Sequence, residues 1–219
     1  SLPSDMQLSY LPNFQIIRLR LTDYKPTNPS RISAPYEKLK NEVKEHLIAT
    51  SDKRIEEIIG DMLLERNATV SFAESCTGGN IAHQMTSVPG SSQYFEGGVV
   101  AYSYDVKETN LGIDHDLLLK HGAVSQEVVE EMATAVRKKM NTDYSIAVSG
   151  IAGPGGGMPN KPVGTVWIAA SSRNEVKSRV FHFRGDRQKV IRHTTSMALE
   201  YLRKLIEKSN REEPKMTGA

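Results

Sequence analysis

The sequence predicts a three-layer α/β/α sandwich on a mixed sheet, with a small N-terminal strand–helix segment in front of it. Strand-like and helical runs alternate through residues 51–140, which is typical of parallel strands joined by helices. Two strand-like runs then lie close together within residues 163–183, which makes the sheet mixed. The number of helices on either side of these strands predicts that both faces of the sheet are covered.

Residues 1–50 form the predicted connecting segment. Residues 17–21 alternate between apolar and charged side chains, which predicts a half-buried strand. A proline-rich stretch over residues 22–35 separates it from a helix that Ser33 is expected to cap. One strand and one helix bury little area, so the segment must pack against the main domain or a partner chain. Its open strand edge favours a homo-oligomer, most simply a dimer.

The main domain is predicted over residues 51–208. Its first helix carries apolar residues at i, i+3, i+4, i+7 and i+8 from Ile55, the pattern of a helix with one buried face. Residues 209–219 are polar and are predicted to be a disordered tail. The other predicted elements are strands at 69–73, 99–103, 144–149, 163–170 and 176–183, and helices that begin near Asn80, Val106, Leu117, Gln126 and Asp186.

Composition narrows the class of protein. A net charge of +2 with both signs mixed along the chain argues against a nucleic-acid surface. The chain has no apolar run of the roughly 20 residues that a membrane span needs and no signal-peptide pattern at its start. Its first residue is not Met, which suggests a fragment. The single cysteine, Cys76, excludes an intramolecular disulfide, so we expect a cytoplasmic protein. The histidines form no ligand motif, so neither a metal nor a cofactor is expected.

The turn after the strand at 69–73 gathers small polar residues just before a helix. Ser75, Cys76 and Thr77 are followed by Gly78 and Gly79. A helix N-terminus carries unpaired N–H groups and positive dipole character, which suit an oxyanion or a phosphate. A well-capped turn explains the same residues equally well, since Ser and Thr are ordinary cap residues.

A second polar turn, residues 149–157, is rich in glycine and lies between two strand-like runs. Glycines there would let the backbone approach a ligand closely. No Gly-Lys-Ser/Thr follows, so this is not a Walker loop, and the glycine spacing does not fit a dinucleotide fingerprint. A flexible connector is the other interpretation.

These stretches resemble the C-terminal domain of the CinA (competence/damage-inducible) family, in one colinear register from about Ile55 to Ile206. That domain is a nicotinamide mononucleotide amidase. Residues 1–50 resemble the connecting region that precedes it in longer members, and no trace of the family's larger N-terminal pyrophosphatase domain is seen. The motifs that carry the resemblance are residues 73–79, Tyr102-Ser103 with Lys107, residues 121–125, 149–154, 161–166 and 185–187.

The resemblance implies deamidation of nicotinamide mononucleotide to nicotinic acid mononucleotide and ammonia, without metal or organic cofactor. Ser75 would be the nucleophile and Lys107 its base. Lys107 can act as a base only when neutral, so its pKa must fall from about 10.4 to roughly 7–8. Without the resemblance, a lysine on a short helix is simply an exposed residue. Cys76 is the rival nucleophile, because thiolates attack better, but no histidine lies near it in sequence.

The implied substrate carries a pyridine ring and a 5′-phosphate. Arg187, at a predicted helix start, could hold the phosphate, or it could pair with Asp186 or Glu175. Tyr102, which the resemblance places with Ser75 and Lys107 among the catalytic residues, could stack on or hydrogen-bond the pyridine, or it could be a core residue at a strand end. The backbone N–H groups of residues 75–79 are the predicted oxyanion donors. The remaining predicted substrate contacts are Thr77, Gly78, Gly79, Ser149, Gly150 and Gly153, with Ser149 standing where the family more often has threonine.

Two alternatives stay open at this point. One is a CinA-like nucleotide-binding module that acts in competence or the response to DNA damage without turnover. The other is an amidase for a different small nucleotide. The presence of both Ser75 and Lys107 favours an enzyme, because a module without turnover has no need of the pair.

Overall fold

The structure is a computed structural model that describes residues 2–13 and 16–212. The chain divides into two compact units that meet between Lys53 and Arg54, three residues after the boundary expected from the sequence. Among the described residues, no helix combines the length and apolar character that crossing a membrane requires.

The N-terminal unit is an antiparallel hairpin followed by a helix. Strands β1 (Met6–Asn13) and β2 (Ile16–Asp23) pair in the hairpin, and α1 spans Ser33–Glu42. Strand β2 was predicted and β1 was not, although Met6, Leu8 and Tyr10 alternate with other residues in the same way. The expected cap is wrong, because Ser33 lies inside α1 and Ile32 occupies the N-cap position without a side-chain bond.

The main unit is built on a five-stranded sheet with the order β4-β3-β5-β6-β7. Strand β3 pairs in parallel with β4 and β5, whereas the β5–β6 and β6–β7 pairs are antiparallel. The predicted mixed sheet is therefore confirmed. The strands are β3 (Val70–Glu74), β4 (Phe95–Val100), β5 (Tyr144–Gly150), β6 (Thr165–Ser171) and β7 (Val176–His182).

Helices cover both faces of the sheet and confirm the three layers. Side chains such as Phe72 and Ile146 point to one face, where α2, α3 and α7 pack. Their neighbours Ala73 and Ala147 point to the other face, against α4, α5 and α6. The helices are α2 (Ile55–Leu64), α3 (Asn80–Thr86), α4 (Tyr104–Leu111), α5 (His115–His121), α6 (Gln126–Lys139) and α7 (Arg187–Glu212).

Two helix ends bear on the domain limits. Helix α2 begins directly at the unit boundary, where the Arg54 N–H donates to Glu57 Oε2 at 2.7 Å. Helix α7 continues to Glu212, so residues 209–212 of the predicted tail are helical instead of disordered. Residues 213–219 of that tail lie outside the described residues.

Strand β4 begins and ends earlier than predicted. The predicted strand begins after Gly97 and Gly98, whereas both glycines lie inside β4. A Cβ on Gly98 would stand 2.9 Å from the Phe72 carbonyl oxygen, so a close approach to β3 requires glycine there. Because β4 ends at Val100, Tyr102 lies in the loop before α4. The carboxyl ends of β3, β4 and β5 share one edge of the sheet, with Glu74 in register with Val100 and Val148.

Candidate active site

Ser75 and Lys107 meet at this edge of the sheet. Ser75 directly follows β3, and its N–H donates to the Val148 carbonyl of β5 at 3.1 Å. Lys107 lies on α4, with its Nζ 3.3 Å from Ser75 Oγ. The same Nζ donates to the carbonyl oxygens of Ala101 at 2.6 Å and Tyr102 at 3.4 Å. The loop between β4 and α4 therefore holds the amine against the serine.

Lys107 is a buried lysine, with a relative exposure of 1%. Burial lowers its pKa from 10.5 to about 8, because an ammonium loses hydration inside a protein, and Cys76 opposes this shift slightly. An amine with this pKa is neutral in an appreciable fraction of molecules near pH 7 and can accept a proton. The interpretation of Lys107 as an exposed surface residue is wrong.

Cys76 is ill suited to be the nucleophile. Its side chain is buried, and burial together with the charge of Glu74 raises the pKa of the thiol to about 12. The thiol therefore stays protonated at neutral pH, and only the thiolate is strongly nucleophilic. This environment favours Ser75 over Cys76.

The backbone N–H groups of residues 75–79 divide into bonded and unbonded ones. In the part of the chain that the structure describes, the N–H groups of Cys76 and Thr77 have no acceptor outside their own residues, so the predicted oxyanion donors narrow to these two. The bonded N–H groups are those of Ser75 to Val148 O at 3.1 Å, Gly78 to Ser75 O at 3.1 Å and Gly79 to Glu74 Oε2 at 3.0 Å.

Three residues that were predicted to bind substrate have structural roles within the turn itself. Thr77 is buried and donates its hydroxyl to Glu74 Oε2 at 2.7 Å. Gly78 and Gly79 have φ angles of 62° and 97°, a region that favours glycine. Substrate contacts of Thr77, Gly78 and Gly79 stay predictions.

Arg187 joins the site from the start of α7. Its Nη1 donates to the Gly153 carbonyl at 2.9 Å, and its Nη2 donates to Tyr102 Oη at 2.7 Å. The ion pairs that were considered for Arg187 do not form among the described residues, where Asp186 pairs with Lys189 and Glu175 pairs with Lys177 and Lys208. The charge of Arg187 also acts on the pKa of Cys76, so the guanidinium lies within electrostatic reach of the Ser75 turn.

Tyr102 lies at the surface, and Gly153 lies in a closely packed turn. Tyr102 is 57% exposed, so it is not a core residue at a strand end. Gly153 has a φ of 83°, and a Cβ there would stand 2.6 Å from Val163 Cγ1. The glycine-rich turn therefore packs closely against the segment that leads into β6, while the Gly153 carbonyl accepts a hydrogen bond from Arg187.

Ser149 and Gly150 also have structural roles. The buried Ser149 hydroxyl donates to the Ala123 carbonyl at 2.6 Å, which ties the end of β5 to the loop before α6. A Cβ on Gly150 would stand 2.6 Å from Val166 Cγ2, so the strand pairing with β6 requires glycine. Contact of either residue with substrate stays a prediction.

Comparison with known proteins decides the family. Residues 52–206 match the family model of the CinA C-terminal domain. The chain belongs to the CinA family. A CinA-like protein from Thermotoga maritima is 43% identical over 190 residues, which cover 87% of this chain and 46% of that protein. A CinA-like protein from Salinibacter ruber is 40% identical over 207 residues, 94% of this chain and 50% of that protein. The chain spans about half the length of these curated relatives.

Solved structures of CinA-family proteins share the fold. The competence damage-inducible protein A of Klebsiella pneumoniae superposes with a TM-score of 0.68 at 33% identity, covering 70% of this chain and 95% of that one. A competence/damage-inducible protein of Agrobacterium tumefaciens also has a TM-score of 0.68, at 35% identity, covering 73% of this chain and 99% of that one.

Tyr104 is a residue near Lys107 that no sequence motif singled out. Tyr104 begins α4, three residues before Lys107, and its Oη accepts the Ala123 N–H at 3.1 Å. Through Ala123, Tyr104 and Ser149 hold the same loop. Within residues 2–13 and 16–212, no cluster of three His, Cys, Asp or Glu side chains could hold a metal ion.

Proposed function

We propose that this domain hydrolyses the carboxamide of nicotinamide mononucleotide, giving nicotinic acid mononucleotide and ammonia. The observation that carries the proposal is the contact between Ser75 and Lys107. A buried amine with a pKa near 8 lies 3.3 Å from a serine hydroxyl, which is the requirement for a serine nucleophile without a histidine.

The neutral amine of Lys107 has two N–H groups and one lone pair. The carbonyls of Ala101 and Tyr102 accept the N–H groups, which leaves the lone pair for the Ser75 hydroxyl. As Ser75 Oγ bonds to the carboxamide carbon, its proton passes to Nζ. The N–H groups of Cys76 and Thr77 donate to the oxyanion.

The tetrahedral intermediate then breaks its C–N bond. Lys107 returns the proton to the departing nitrogen, and ammonia leaves. Water attacks the acyl-serine with Lys107 again as base, and Lys107 passes the water proton to the departing Ser75 Oγ. The carboxylic acid product releases its own proton to solvent and leaves as the carboxylate. Every proton that Lys107 takes is given back, so the dyad ends each cycle in its starting state.

Arg187 supports a phosphate-bearing substrate. Its partners, the Gly153 carbonyl and the Tyr102 hydroxyl, are neutral, so a phosphate dianion would be a stronger acceptor for the guanidinium. The half-exposed ring of Tyr102 provides an aromatic surface for the pyridine between the phosphate site and the dyad.

An ammonia assay across a panel of carboxamides tests this function. The panel contains nicotinamide mononucleotide, its riboside, free nicotinamide and a nucleotide with a different carboxamide base. We expect the highest kcat/KM for nicotinamide mononucleotide, with one nicotinic acid mononucleotide formed per ammonia. Absence of ammonia from every compound would refute an amidase.

Arg187→Ala is expected to weaken use of the mononucleotide selectively. A charge-assisted bond to phosphate contributes about 1.5–3 kcal/mol, so KM should rise roughly ten- to a hundred-fold, with part of the loss appearing in kcat. Steady-state kinetics on the mononucleotide and its riboside measure the difference, and Arg187→Lys serves as the charge-retaining control. Equal losses with and without the phosphate would place Arg187 outside the binding site.

The pH dependence of kcat/KM is expected to follow Lys107. Below its pKa of about 8 the amine is protonated and cannot accept the Ser75 proton, so kcat/KM should fall about tenfold per pH unit and level off above pH 8. Initial rates between pH 6 and 10 measure the profile. A profile that stays flat from pH 6 to 8 would show that Lys107 is not the base.

A further inference from the structure

We infer that Glu74 is a positioning residue for this reaction, whose buried carboxylate fixes the turn that carries Ser75 and selects which N–H groups of that turn stay unbonded. The inference rests on the proposed amidase function, since its main readout is turnover. Glu74 is the last residue of β3, immediately before the nucleophile, with a relative exposure of 2%.

Every hydrogen-bond partner that the structure shows for the Glu74 side chain is a donor. A carboxylate only accepts hydrogen bonds, and its two oxygens have the capacity for all of these donors. The partners are Thr77 Oγ1 at 2.7 Å, Gly79 N at 3.0 Å and Ile81 N at 3.1 Å on Oε2, and Ala82 N at 2.8 Å on Oε1.

This carboxylate takes the place of a helix cap. Helix α3 follows Gly79, which has no side chain to cap it, and the first N–H groups of a helix lack intrahelical acceptors. Glu74 satisfies those of Gly79, Ile81 and Ala82 from the end of the neighbouring strand. A negative charge at this position also complements the helix dipole.

The hydrogen bonds of Glu74 determine which backbone N–H groups of the turn are left for the substrate. The N–H groups of Ser75 and Gly78 are bonded within the sheet and the turn. With Glu74 accepting from Gly79, the N–H groups of the described turn that have no acceptor outside their own residues are those of Cys76 and Thr77, the two residues directly after the nucleophile. Both Glu74 oxygens are occupied, so Glu74 acts through the turn and not as an acid or base.

Glu74→Gln tests the inference with little change in size. The glutamine amide has one acceptor oxygen, so its NH₂ must face a backbone N–H or the Thr77 hydroxyl, and the turn must shift. We expect kcat to fall about 10- to 100-fold, somewhat less than the loss typical for removing an oxyanion donor, with KM for the mononucleotide within about threefold of wild type.

Thr195→Val is the matched control. Asn80 Nδ2 donates to Thr195 Oγ1 at 2.8 Å, which anchors α3 to α7 without involving the carboxylate. This variant loosens the same helix, so we expect a lower Tm and a kcat within about twofold of wild type. An equal loss of kcat at equal loss of Tm in the two variants would overturn the inference, as would a wild-type kcat in Glu74→Gln.

A fluorophosphonate probe separates this inference from the proposed function, because it labels an activated serine whatever the natural substrate. Labelling of Ser75 without ammonia release would refute the amidase alone, and a tenfold slower labelling of Glu74→Gln would still support the positioning role. Neither labelling nor hydrolysis by wild type would overturn both. If Glu74→Gln does not fold, Glu74→Asp replaces it and should lose kcat at unchanged KM, whereas an unchanged kcat would refute the role.

Discussion

Ser75→Ala should abolish ammonia release from nicotinamide mononucleotide, leaving at most a few per cent of wild-type turnover. Ser75 supplies the only hydroxyl that contacts Lys107 Nζ in the described structure, so no neighbouring group can form the acyl intermediate in its place. The turn is held by backbone bonds, from Ser75 N to Val148 O and from Gly78 N to Ser75 O, and alanine keeps both. Fold and nucleotide affinity should therefore persist.

Cys76→Ala is the control for this prediction. It removes the rival nucleophile from the next position and deletes only a small buried side chain. We expect it to retain most of the wild-type kcat, with a modest loss of Tm. Calorimetric titration of both variants with the mononucleotide separates binding from turnover. Turnover that survives in Ser75→Ala and disappears in Cys76→Ala would assign the nucleophile to Cys76.

Lys107→Arg and Lys107→Met should both lower kcat by about 10²–10⁴-fold, the range for loss of a general base. Arginine keeps the charge but does not deprotonate, so it cannot take the Ser75 proton. The two variants should therefore be almost equally inactive. An active Lys107→Arg enzyme would show that the positive charge, and not proton transfer, is what the reaction requires.

Lys107→Met should also make the protein more stable at pH 7. The fall of the lysine pKa from 10.5 to about 8 corresponds to about 3 kcal/mol against the charged, folded form. Losing the bond to the Ala101 carbonyl offsets roughly 1 kcal/mol of this, so we expect a net gain of about 1–2 kcal/mol.

The stability difference between Lys107→Met and wild type should depend on pH. Between pH 8 and 10.5 the unfolded wild-type chain binds a proton at Lys107 that the folded chain does not, so wild-type stability rises with pH. The advantage of Lys107→Met should therefore shrink from pH 7 to pH 10.5. Urea unfolding at both pH values measures it. A Lys107→Met variant that is less stable than wild type at pH 7 would indicate that burial of the charged lysine does not destabilise the folded protein.

Local patterns were sufficient for most of the sheet and helices. The apolar runs at 144–149 and 163–170 became β5 and β6, and Gly112 ends α4 with a φ of 70°. Local patterns gave wrong element bounds where tertiary contacts determine the backbone conformation. Gly97 and Gly98 indicate a turn by composition, yet close approach to β3 places them inside β4.

The candidate site shows the same difference between what sequence motifs predict and what depends on tertiary contacts. The family motifs predict Ser75, Lys107 and Arg187 as site residues, but the burial of Lys107 depends on how α4 folds back over the end of β3, which no local pattern records. The donors to Glu74 come from residues up to eight positions later, so the role of this side chain becomes visible only once the turn has closed.

The bond between Arg54 N and Glu57 Oε2 has a consequence for the start of the main unit. The first helix of the main unit carries its own N-terminal cap, so it needs no acceptor from the chain before it. We expect such a unit to accept different upstream sequences.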